Sequence, residues 1–453
     1  MTFGRKGIFV VFSLLLTCSA LWAQKVSSVL TLKDGDTKDQ DDMCFWVHPS
    51  NPEQSTIIAS DKEANIVFVY DLDGNTVQAL SVPGKPGNID IRYGFPLSGN
   101  LIDVVIYNDR TNNKIAIYEV DAATRQLSRV DNGAINAGAN YGTCAYKSPV
   151  TGKFYAFTTA KDGSLKQFEL FEENGEIAGR EVRSFKLKSQ TEGCACDDET
   201  AQAYFGEEEN GIWKIGAEPG DGTSPNMIAE AGDGTGLEAD VEGLSIYYAA
   251  NGEGYIIASS QGADKFTILE RKAPHKAVGE FEVEKAGKTD GVDVINVPLG
   301  GRFSKGLFAY HNGSKEPYGV GIAKWEDIAS EVGGLMIDTE YWDPRRGAVS
   351  TSVADEQPAI PSTLTLLQNY PNPFNPSTVI PFRLDKGREI SLTVTDLLGR
   401  TVRVLADGRF EAGSHTLKWD GRNDFGEQVP AGLYIYKLQG EGVSFAKKLT
   451  LLK

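Results

Sequence analysis

Histidine and cysteine are scarce in this chain, and positive charge is in deficit. The 453 residues include 4 His and 5 Cys, and 62 Asp and Glu outnumber 45 Lys and Arg, which gives a formal charge of −17. A surface that binds nucleic acid needs an excess of Lys and Arg to neutralise phosphates, so the composition argues against that class of partner. An anionic substrate is still compatible with the acidic balance if bound cations reverse the local sign of the charge.

The few histidines and cysteines do not form a transition-metal motif. No spacing typical of a metal site occurs among the histidines, which are His48, His275, His311 and His415. Cys194 and Cys196 are two residues apart, so a strand would point both side chains to one face. We interpret them as core residues, because no matching cysteine pair is present to complete a zinc site.

Long apolar runs are also missing, with one short exception at the N-terminus. A basic start at Arg5 and Lys6 precedes an apolar stretch over residues 8–16, and Leu21-Trp22-Ala23 offers a cleavage site. The stretch is too short for a comfortable membrane span. We therefore predict that residues 1–23 are a signal peptide and that the protein is exported, to a compartment that permits disulfides.

Residues 24–344 carry the pattern of short β-strands almost throughout. Asp-Gly and Asn-Gly turns separate them, at Asp73-Gly74, Asp162-Gly163, Asn174-Gly175 and Asn251-Gly252. The clearest strand-like runs are 56–59, 66–71, 102–107, 115–120, 154–158, 165–170, 212–215, 244–248, 255–259 and 266–270. Roughly 300 residues exceed one sandwich and fit about six propeller blades of some 50 residues each. The predicted fold class is all-β, with a six-bladed β-propeller.

The end of the chain has a different composition. Residues 345–361 are rich in Ser, Pro and acids and have no periodicity, which is typical of a linker. Residues 362–453 then contain strand-like runs and the segments Asn369-Tyr370-Pro371-Asn372-Pro373-Phe374, Trp419-Asp420-Gly421 and Pro430-Ala431-Gly432-Leu433-Tyr434. This region resembles the C-terminal sorting domain of the type IX (Por) secretion system, a small immunoglobulin-like β-sandwich. The resemblance implies a secretion-machinery partner and export across the outer membrane, to the cell surface or medium.

Carboxylates and amides recur next to glycine at predicted strand ends. Examples are Glu192-Gly193, the run Glu207–Glu209 before Asn210-Gly211, Asp240-Val241-Glu242-Gly243 and Gln261-Gly262. Grouped carboxylates repel one another unless a cation lies among them, and oxygen ligands in flexible loops suit calcium. The alternative is that they are solvated turn residues of an acidic protein.

Six motifs, in order along about 300 residues, resemble those of the β-propeller phytases. They are Asp41-Asp42 before Cys44-Phe45-Trp46-Val47-His48-Pro49, Asn88-Ile89-Asp90-Ile91-Arg92-Tyr93, Gln190-Thr191-Glu192-Gly193, Asp240-Val241-Glu242-Gly243-Leu244, Ser259-Ser260-Gln261-Gly262 and Thr289-Asp290-Gly291-Val292-Asp293-Val294. The resemblance implies a six-bladed propeller of the 3-phytase type. Such enzymes hydrolyse phosphate monoesters of myo-inositol hexakisphosphate (phytate) with several Ca²⁺ ions, and we expect a monomer acting on the calcium complex.

The resemblance also implies site residues. The implied calcium ligands are Asp42, the carbonyls of Met43 and Ile89, Glu192, Glu208, Asp240, Glu242, Gln261 and Asp290. The implied phosphate contacts are Lys62, Arg110, Tyr141 and Lys161. In this scheme a calcium-activated water attacks phosphorus, and Glu192 and Glu208 join the four phosphate contacts as catalytic residues. Without the resemblance, the three cations would be interpreted as ordinary loop residues.

The chain departs from the family pattern at three points. Lys62 is followed by Glu63 where the family usually has a second lysine, which puts the neighbouring phosphate subsite in question. Only one Thr-Asp-Gly segment precedes the Asp293 strand, so one calcium site is expected to be absent or built differently. Met43 stands where a proline is frequent, which matters less if the ligand is a carbonyl.

Two other functional classes are left open by the residues. No Arg-His-Gly-x-Arg or Cys-x5-Arg segment is present, so histidine acid and cysteine phosphatases are disfavoured. A calcium-dependent propeller could instead hydrolyse a lactone or another ester, although a neutral substrate would not need Lys62, Arg110 and Lys161 together. A surface propeller could also bind a ligand or partner without catalysis.

Overall fold

The computed structural model describes residues 25–313, 318–345, 347–348, 364–366, 369, 372, 374–384, 386–396, 399–411, 413–440 and 443–452. The predicted signal peptide and nearly all of the predicted linker lie outside these residues. No helix in this described part of the chain is long and apolar enough to cross a membrane.

Strands dominate both parts of the chain. In residues 25–348 they are β1 (Lys25–Val26), β2 (Leu30–Leu32), β3 (Gln40–Trp46), β4 (Thr56–Asp61), β5 (Ile66–Asp71), β6 (Thr76–Ser81), β7 (Pro86–Leu97), β8 (Asn100–Asp109), β9 (Lys114–Val120), β10 (Leu127–Arg129), β11 (Gly142–Lys147), β12 (Phe154–Thr159), β13 (Ser164–Glu173), β14 (Glu176–Lys186), β15 (Thr191–Asp197), β16 (Gln202–Glu207), β17 (Gly211–Gly216), β18 (Asn226–Glu230), β19 (Val241–Tyr248), β20 (Gly254–Ser260), β21 (Lys265–Glu270), β22 (Ala277–Val283), β23 (Val292–Ile295), β24 (Leu307–Asn312), β25 (Gly319–Lys324), β26 (Trp342–Asp343) and β27 (Gly347–Ala348). The helices are α1 (Trp325–Val332) and four 3₁₀ turns at Pro52–Gln54, Ala250–Gly252, Gln261–Ala263 and Gly301–Phe303.

Six sheets of antiparallel hairpins form the blades of a propeller. Four blades take consecutive strands, in the orders β3-β4-β5-β6, β7-β8-β9-β10, β11-β12-β13-β14 and β15-β16-β17-β18. The fifth is β19-β20-β21-β22 with β1 added in parallel to β22, and the sixth is β23-β24-β25 with β2 added antiparallel to β25. Two strands from the N-terminal end of the described chain thus complete the last two blades and close the ring. The predicted six-bladed propeller is confirmed.

The first strand of each blade lies innermost, around the central axis. These inner strands pack against one another in the order β3, β7, β11, β15, β19 and β23, and β23 returns to β3. All seven residues of β3 are buried, whereas exposed residues occur along the outer strand β6. The inner strands approach so closely that a Cβ on Gly193 would lie 1.7 Å from the Glu242 carbonyl oxygen, which explains the glycine after Glu192.

One helix interrupts the β pattern. In α1, Trp325 stacks on Tyr247 with ring centroids 4.3 Å apart, and its indole N–H donates to the Met336 carbonyl at 2.8 Å. Glu326 and Asp327 lie in the first turn, where the helix dipole favours negative charge. The all-β interpretation of this stretch therefore missed a short helix that covers the outside of the last two blades.

The C-terminal part forms a second β domain of two sheets. Its strands are β28 (Leu364–Leu366), β29 (Thr378–Leu384), β30 (Arg388–Thr395), β31 (Thr401–Phe410), β32 (Gly413–Trp419), β33 (Gly432–Gly440) and β34 (Val443–Leu451). They pair as β28-β29-β32 and β31-β30-β33-β34, around a core that includes Trp419, Tyr436 and Leu392. The predicted small β-sandwich is confirmed.

Both cysteines lie in the core, as interpreted from the sequence. Cys196 is a free thiol, whereas Cys194 also forms a disulfide with Cys144. The bond joins β11 to β15, the inner strands of two neighbouring blades, and sequence spacing could not reveal it because the two cysteines are 50 residues apart.

Candidate functional site

The predicted site residues recur at two positions in the blades, near the start of the inner strand and near the end of the second strand. Each inner strand begins beside the end of the second strand of its blade, as the pairs Gln40–Asp61, Pro86–Asp109 and Thr191–Glu207 show. We call this end of the propeller the upper rim. Four inner strands have a register irregularity at their start, a place where a bulge re-aims side chains.

Three glutamates from three chain segments form a buried group, here called the carboxylate cluster. Glu192 is the second residue of β15, Glu242 is the second residue of β19, and Glu208 follows β16. One carboxylate oxygen of each lies within 4.8 Å of the others, and the residues are only 5%, 6% and 9% exposed. Among the described residues, Oε2 of Glu242 has no hydrogen-bond partner.

The electrostatics of this cluster favour a cation. Burial raises the pKa of Glu192 and raises that of Glu242 well above its usual range, and repulsion between the carboxylates adds to the shift for Glu242. Burial also raises the pKa of Glu208, although Gln190 donates to both of its oxygens at 2.7 and 2.8 Å. A divalent cation would remove the repulsion and satisfy the orphaned oxygen, so the donor set fits a hard ion bound by oxygen.

Arg110 connects this cluster to a second acidic group. Its guanidinium binds Glu192 on one side and Asp41 Oδ2, at 2.9 Å, on the other. A Cβ on Gly87 would come within 2.4 Å of Arg110 Nε, so glycine at that position leaves room for the side chain. Burial opposes a high pKa for Arg110, but Asp41 and Glu192 raise it, which keeps the group charged.

The second acidic group surrounds Lys62. Its Nζ lies 2.6 Å from Asp41, 3.1 Å from Asp290 and 3.5 Å from Asp39. His311 Nδ1 lies 3.2 Å from Asp290, and although burial opposes it, hydrogen bonds to the two aspartates raise the histidine pKa to about 9. Despite its burial, Asp290 has a pKa lowered to about 2, with His311 the largest cause.

Tyr141 supports two of the predicted phosphate contacts. Lys161 Nζ lies 4.3 Å from the centroid of its ring, and the Arg110 guanidinium carbon lies 4.4 Å from it. Lys161 is exposed and, among the described residues, has no carboxylate within ion-pair distance. All four predicted phosphate contacts therefore lie at the upper rim next to the acidic groups.

The remaining predicted calcium ligands join the same rim. Gln261 donates its side-chain amide to Asp290, and its backbone N–H donates to the Asp240 carbonyl at 2.9 Å. Asp42 is buried and accepts from the Ile89 N–H at 3.1 Å, and burial raises its pKa well above the usual range. Met43 follows Asp42 on β3 and pairs with Ala59, so its backbone lies just inside the rim.

The sequence interpretation missed several residues of this network. Asp41 rather than Asp42 bridges the two cations, and Asp39, His311 and Gln190 complete the hydrogen bonds. A positional signal was available, because Lys62, Arg110, Lys161, Glu208 and Gln261 all follow the second strand of a blade. They recur roughly every 50 residues, which is the length of one blade.

Comparison with known proteins finds relatives for both parts of the chain. A family model described as Phytase matches residues 19–347, and one described as the FlgD Ig-like domain matches residues 378–442. A 3-phytase from Bacillus subtilis (strain 168) is 38% identical over 325 residues, which cover 68% of this chain and 84% of that protein. The basal-body rod modification protein FlgD of Salmonella typhimurium is 46% identical over 46 residues, or 10% of this chain and 20% of that protein.

The solved structures that match this chain share little sequence with it. A calcium-binding protein, regucalcin, from Agrobacterium tumefaciens is 11% identical with a TM-score of 0.43, covering 67% of this chain and 96% of that one. A luciferin-regenerating enzyme is 12% identical with a TM-score of 0.44, covering 68% and 99%. By the family model and the Bacillus relative, the chain belongs to the Phytase family.

Proposed function

We propose that this protein is a phytase that releases inorganic phosphate from phytate at the upper rim of its propeller, in a calcium-dependent reaction. The observation that carries the proposal is the placement of the carboxylate cluster beside four phosphate-binding candidates. Arg110 contacts Glu192 directly, and Lys161 is close enough to Glu208 to oppose the rise in its pKa. Binding of a phosphomonoester dianion requires a metal cation to offset the negative charge of the carboxylate cluster. It also requires fixed positive charge from neighbouring basic side chains.

Several side chains on this rim are suited to hold calcium. Glu192, Glu208 and Glu242 offer carboxylate oxygens to one place, and Asp42, Asp240, Gln261 and Asp290 line the neighbouring rim. The carbonyls of Met43 and Ile89 complete the proposed ligand set. These residues would hold calcium, and the chemistry that calcium supplies when bound is neutralisation of phosphate charge and a lowered pKa for a water.

The four remaining residues bind and orient the phosphate. Lys161 is exposed to solvent and is free to contact an incoming anion, while its ammonium lies over the Tyr141 ring. Arg110 presents a planar fork that suits two phosphate oxygens, and Lys62 adds a point charge. If Glu192 held calcium, Arg110 would have guanidinium donors available for the substrate.

Phosphate release from phytate by the purified mature protein tests the proposal. We expect turnover with calcium, none after chelation, and recovery with added calcium in preference to magnesium. A lactone and a non-phosphate ester serve as control substrates, because the basic residues have no role with a neutral substrate. Activity on these compounds but none on calcium phytate would contradict the proposal.

We also propose the domain organisation and route of export. Residues 1–23 are a signal peptide, 24–344 the phytase propeller, 345–361 a linker, and 362–453 a sorting domain read by a type IX secretion machinery. The support is the two-sheet fold of the tail, its FlgD Ig-like match and the motifs quoted above. The mature monomer would be secreted or displayed at the cell surface.

Intact-mass analysis of protein secreted by the native host tests this organisation. We expect a product that begins near Gln24 and ends within or near residues 345–361. Active extracellular protein that retains the tail to Lys453 would contradict removal of the C-terminal domain.

A further inference from the structure

A fully buried asparagine connects two of the proposed phosphate contacts. Asn108 lies near the end of β8, two residues before Arg110, and is 0% exposed. Its amide nitrogen donates to the Tyr141 carbonyl and to Asn140 Oδ1, both at 2.9 Å. Because a backbone carbonyl can only accept, the contact with Tyr141 fixes the amide nitrogen on that side, and the Asn108 oxygen points elsewhere.

That oxygen and one nitrogen of Arg110 are both left without a partner. Within the described part of the chain, Asn108 Oδ1 and Arg110 Nε are buried atoms that make no hydrogen bond. Both atoms lie beside Gly87, where a Cβ would be 2.8 Å from the oxygen and 2.4 Å from the nitrogen. Because glycine has no side chain, none separates this acceptor from this donor. A buried polar group without a partner is costly, so a movement that pairs the two atoms is favoured.

The other contacts of Arg110 hold its guanidinium towards the carboxylates. Nη2 binds Glu192 and also Asp41 Oδ2, the latter at 2.9 Å. The guanidinium carbon lies 4.4 Å from the centroid of the Tyr141 ring. In the proposed function Glu192 is a calcium ligand, so the guanidinium is then free to turn from this carboxylate towards a phosphate.

We propose that Asn108 is a positioning residue for the phosphate site, whose oxygen accepts a hydrogen bond from Arg110 Nε when the guanidinium turns from Glu192 to the substrate. The inference rests on the proposed phytase function. Pairing at Nε leaves the two terminal nitrogens of Arg110 for two phosphate oxygens, and a guanidinium binds phosphate best in such a bidentate arrangement. The amide nitrogen of Asn108 meanwhile holds the Tyr141 backbone, so a single side chain orients both phosphate contacts.

Asn108→Leu tests the role of the whole amide, because leucine has a similar size and no polar atoms. We expect kcat/KM for calcium phytate to fall about 10-fold to 100-fold, mainly through kcat, since a misplaced guanidinium loses contacts made in the transition state. The rise in melting temperature caused by calcium should equal that of the wild type, because the Asn108 amide bonds to Asn140 and Tyr141. If this variant does not fold, Asn108→Ala removes the same atoms without adding an apolar branch.

Asn108→Asp separates the role of the oxygen from that of the nitrogen. Aspartate keeps an oxygen for Arg110 but has no N–H for the Tyr141 carbonyl. If the oxygen positions Arg110, this variant should recover most of the kcat that Asn108→Leu loses. A residue that only tied Tyr141 to β8 would give no such recovery, because that contact uses the amide nitrogen.

Arg110→Lys tests whether Asn108 acts through Arg110. Lysine keeps a positive charge but lacks the Nε–H, so Asn108→Leu should cost nothing further in that background, whereas independent effects would add as free energies. The matched control is Asn296→Leu. Asn296 is also buried, and its amide nitrogen donates to the carbonyls of Tyr248 and Asp338 at 2.6 and 2.7 Å. It follows β23, at the opposite end of the propeller from the upper rim, and its loss should leave kcat and KM unchanged.

The outcomes separate this inference from the function on which it rests. Wild-type protein that releases no phosphate from calcium phytate would overturn the proposed function and the inference with it. If the wild type is active, Asn108→Leu with the kinetics of Asn296→Leu would overturn the inference alone. The same conclusion would follow if Asn108→Asp were no more active than Asn108→Leu, or if the losses from Asn108→Leu and Arg110→Lys were independent.

Discussion

Lys161 lies over the ring of Tyr141, with its ammonium 4.3 Å from the ring centroid and no carboxylate partner among the described residues. Its charge is thus fixed near the carboxylate cluster without being neutralised. An exposed lysine of this kind contributes little to the free energy of unfolding. Its position beside the cluster suits it to bind a substrate anion.

Substitution of Lys161 by Met should separate catalysis from stability. Methionine keeps an unbranched aliphatic stem and removes the ammonium that lies over Tyr141. We expect turnover on calcium phytate to fall about 10²–10³-fold, the usual effect of deleting one transition-state electrostatic partner. The melting curve with calcium should stay near that of the wild type. Kinetics and melting of the purified variant check this, and full activity would show that Lys161 has no phosphate role.

Glu242→Gln should change the melting temperature differently with and without calcium. The buried Oε2 of Glu242 has no partner among the described residues, and its charge repels Glu192 and Glu208. Without calcium, removal of that charge should leave the melting temperature equal to or above the wild type. With calcium, the variant should gain less stability, because each ion that binds only the folded state adds about 2.7 kcal/mol at a hundredfold excess over its dissociation constant.

The control for this comparison is Glu176→Gln, an exposed glutamate at the start of β14. It should respond to calcium as the wild type does. An equal calcium response for Glu242→Gln would show that the cluster does not bind the stabilising ion.

The calcium-free protein should become less stable as pH rises. Burial raises the pKa values of Glu192, Glu208 and Glu242, so the folded state holds protons that the unfolded state releases above about pH 4.3. Stability from this source is lost as pH rises towards the raised folded values. His311 acts in the same direction, because its pKa of about 9 lies above the unfolded value and its contribution is lost as pH approaches 9.

Melting curves in chelator between pH 5 and 9 measure this slope. Burial raises the pKa of Asp293 to about 7, so this residue contributes to the slope in the wild type and in Glu242→Gln alike. The informative quantity is therefore the difference in slope between these two proteins. The variant should show the shallower decline. Stability of the calcium-free wild type that increases over this range would contradict the electrostatic account of the cluster.

Most strands were predictable because each has a local signal. Residues 66–71 are a run of β-branched and aromatic residues that ends in a turn, and the structure has the same bounds for β5. Ring closure was not predictable, because β1 and β2 pair with strands more than 250 residues away and periodicity holds no information on such partners. For the same reason, the sequence could not predict the ion pair between Lys85 and Glu63 or the position of Asp41 between Lys62 and Arg110. Both depend on how neighbouring blades meet in space.

The disulfide between Cys144 and Cys194 should stabilise the joint between two blades. It closes a loop of 50 residues between the inner strands β11 and β15, two residues from Glu192. In the chain-entropy account a loop of this length contributes about 4 kcal/mol to the free energy of unfolding. We expect Cys144→Ala/Cys194→Ala to lower the melting temperature by several degrees.

Thiol counting tests the pairing itself. Denatured mature protein should contain two free thiols, from the buried Cys44 and Cys196, and four after reduction. Cys196 lies 3.7 Å from the Cys144 sulfur, so in the Cys194→Ala variant it can replace the lost partner. That single variant should therefore lose less stability than the double variant, whereas four free thiols in unreduced, denatured wild-type protein would contradict the disulfide.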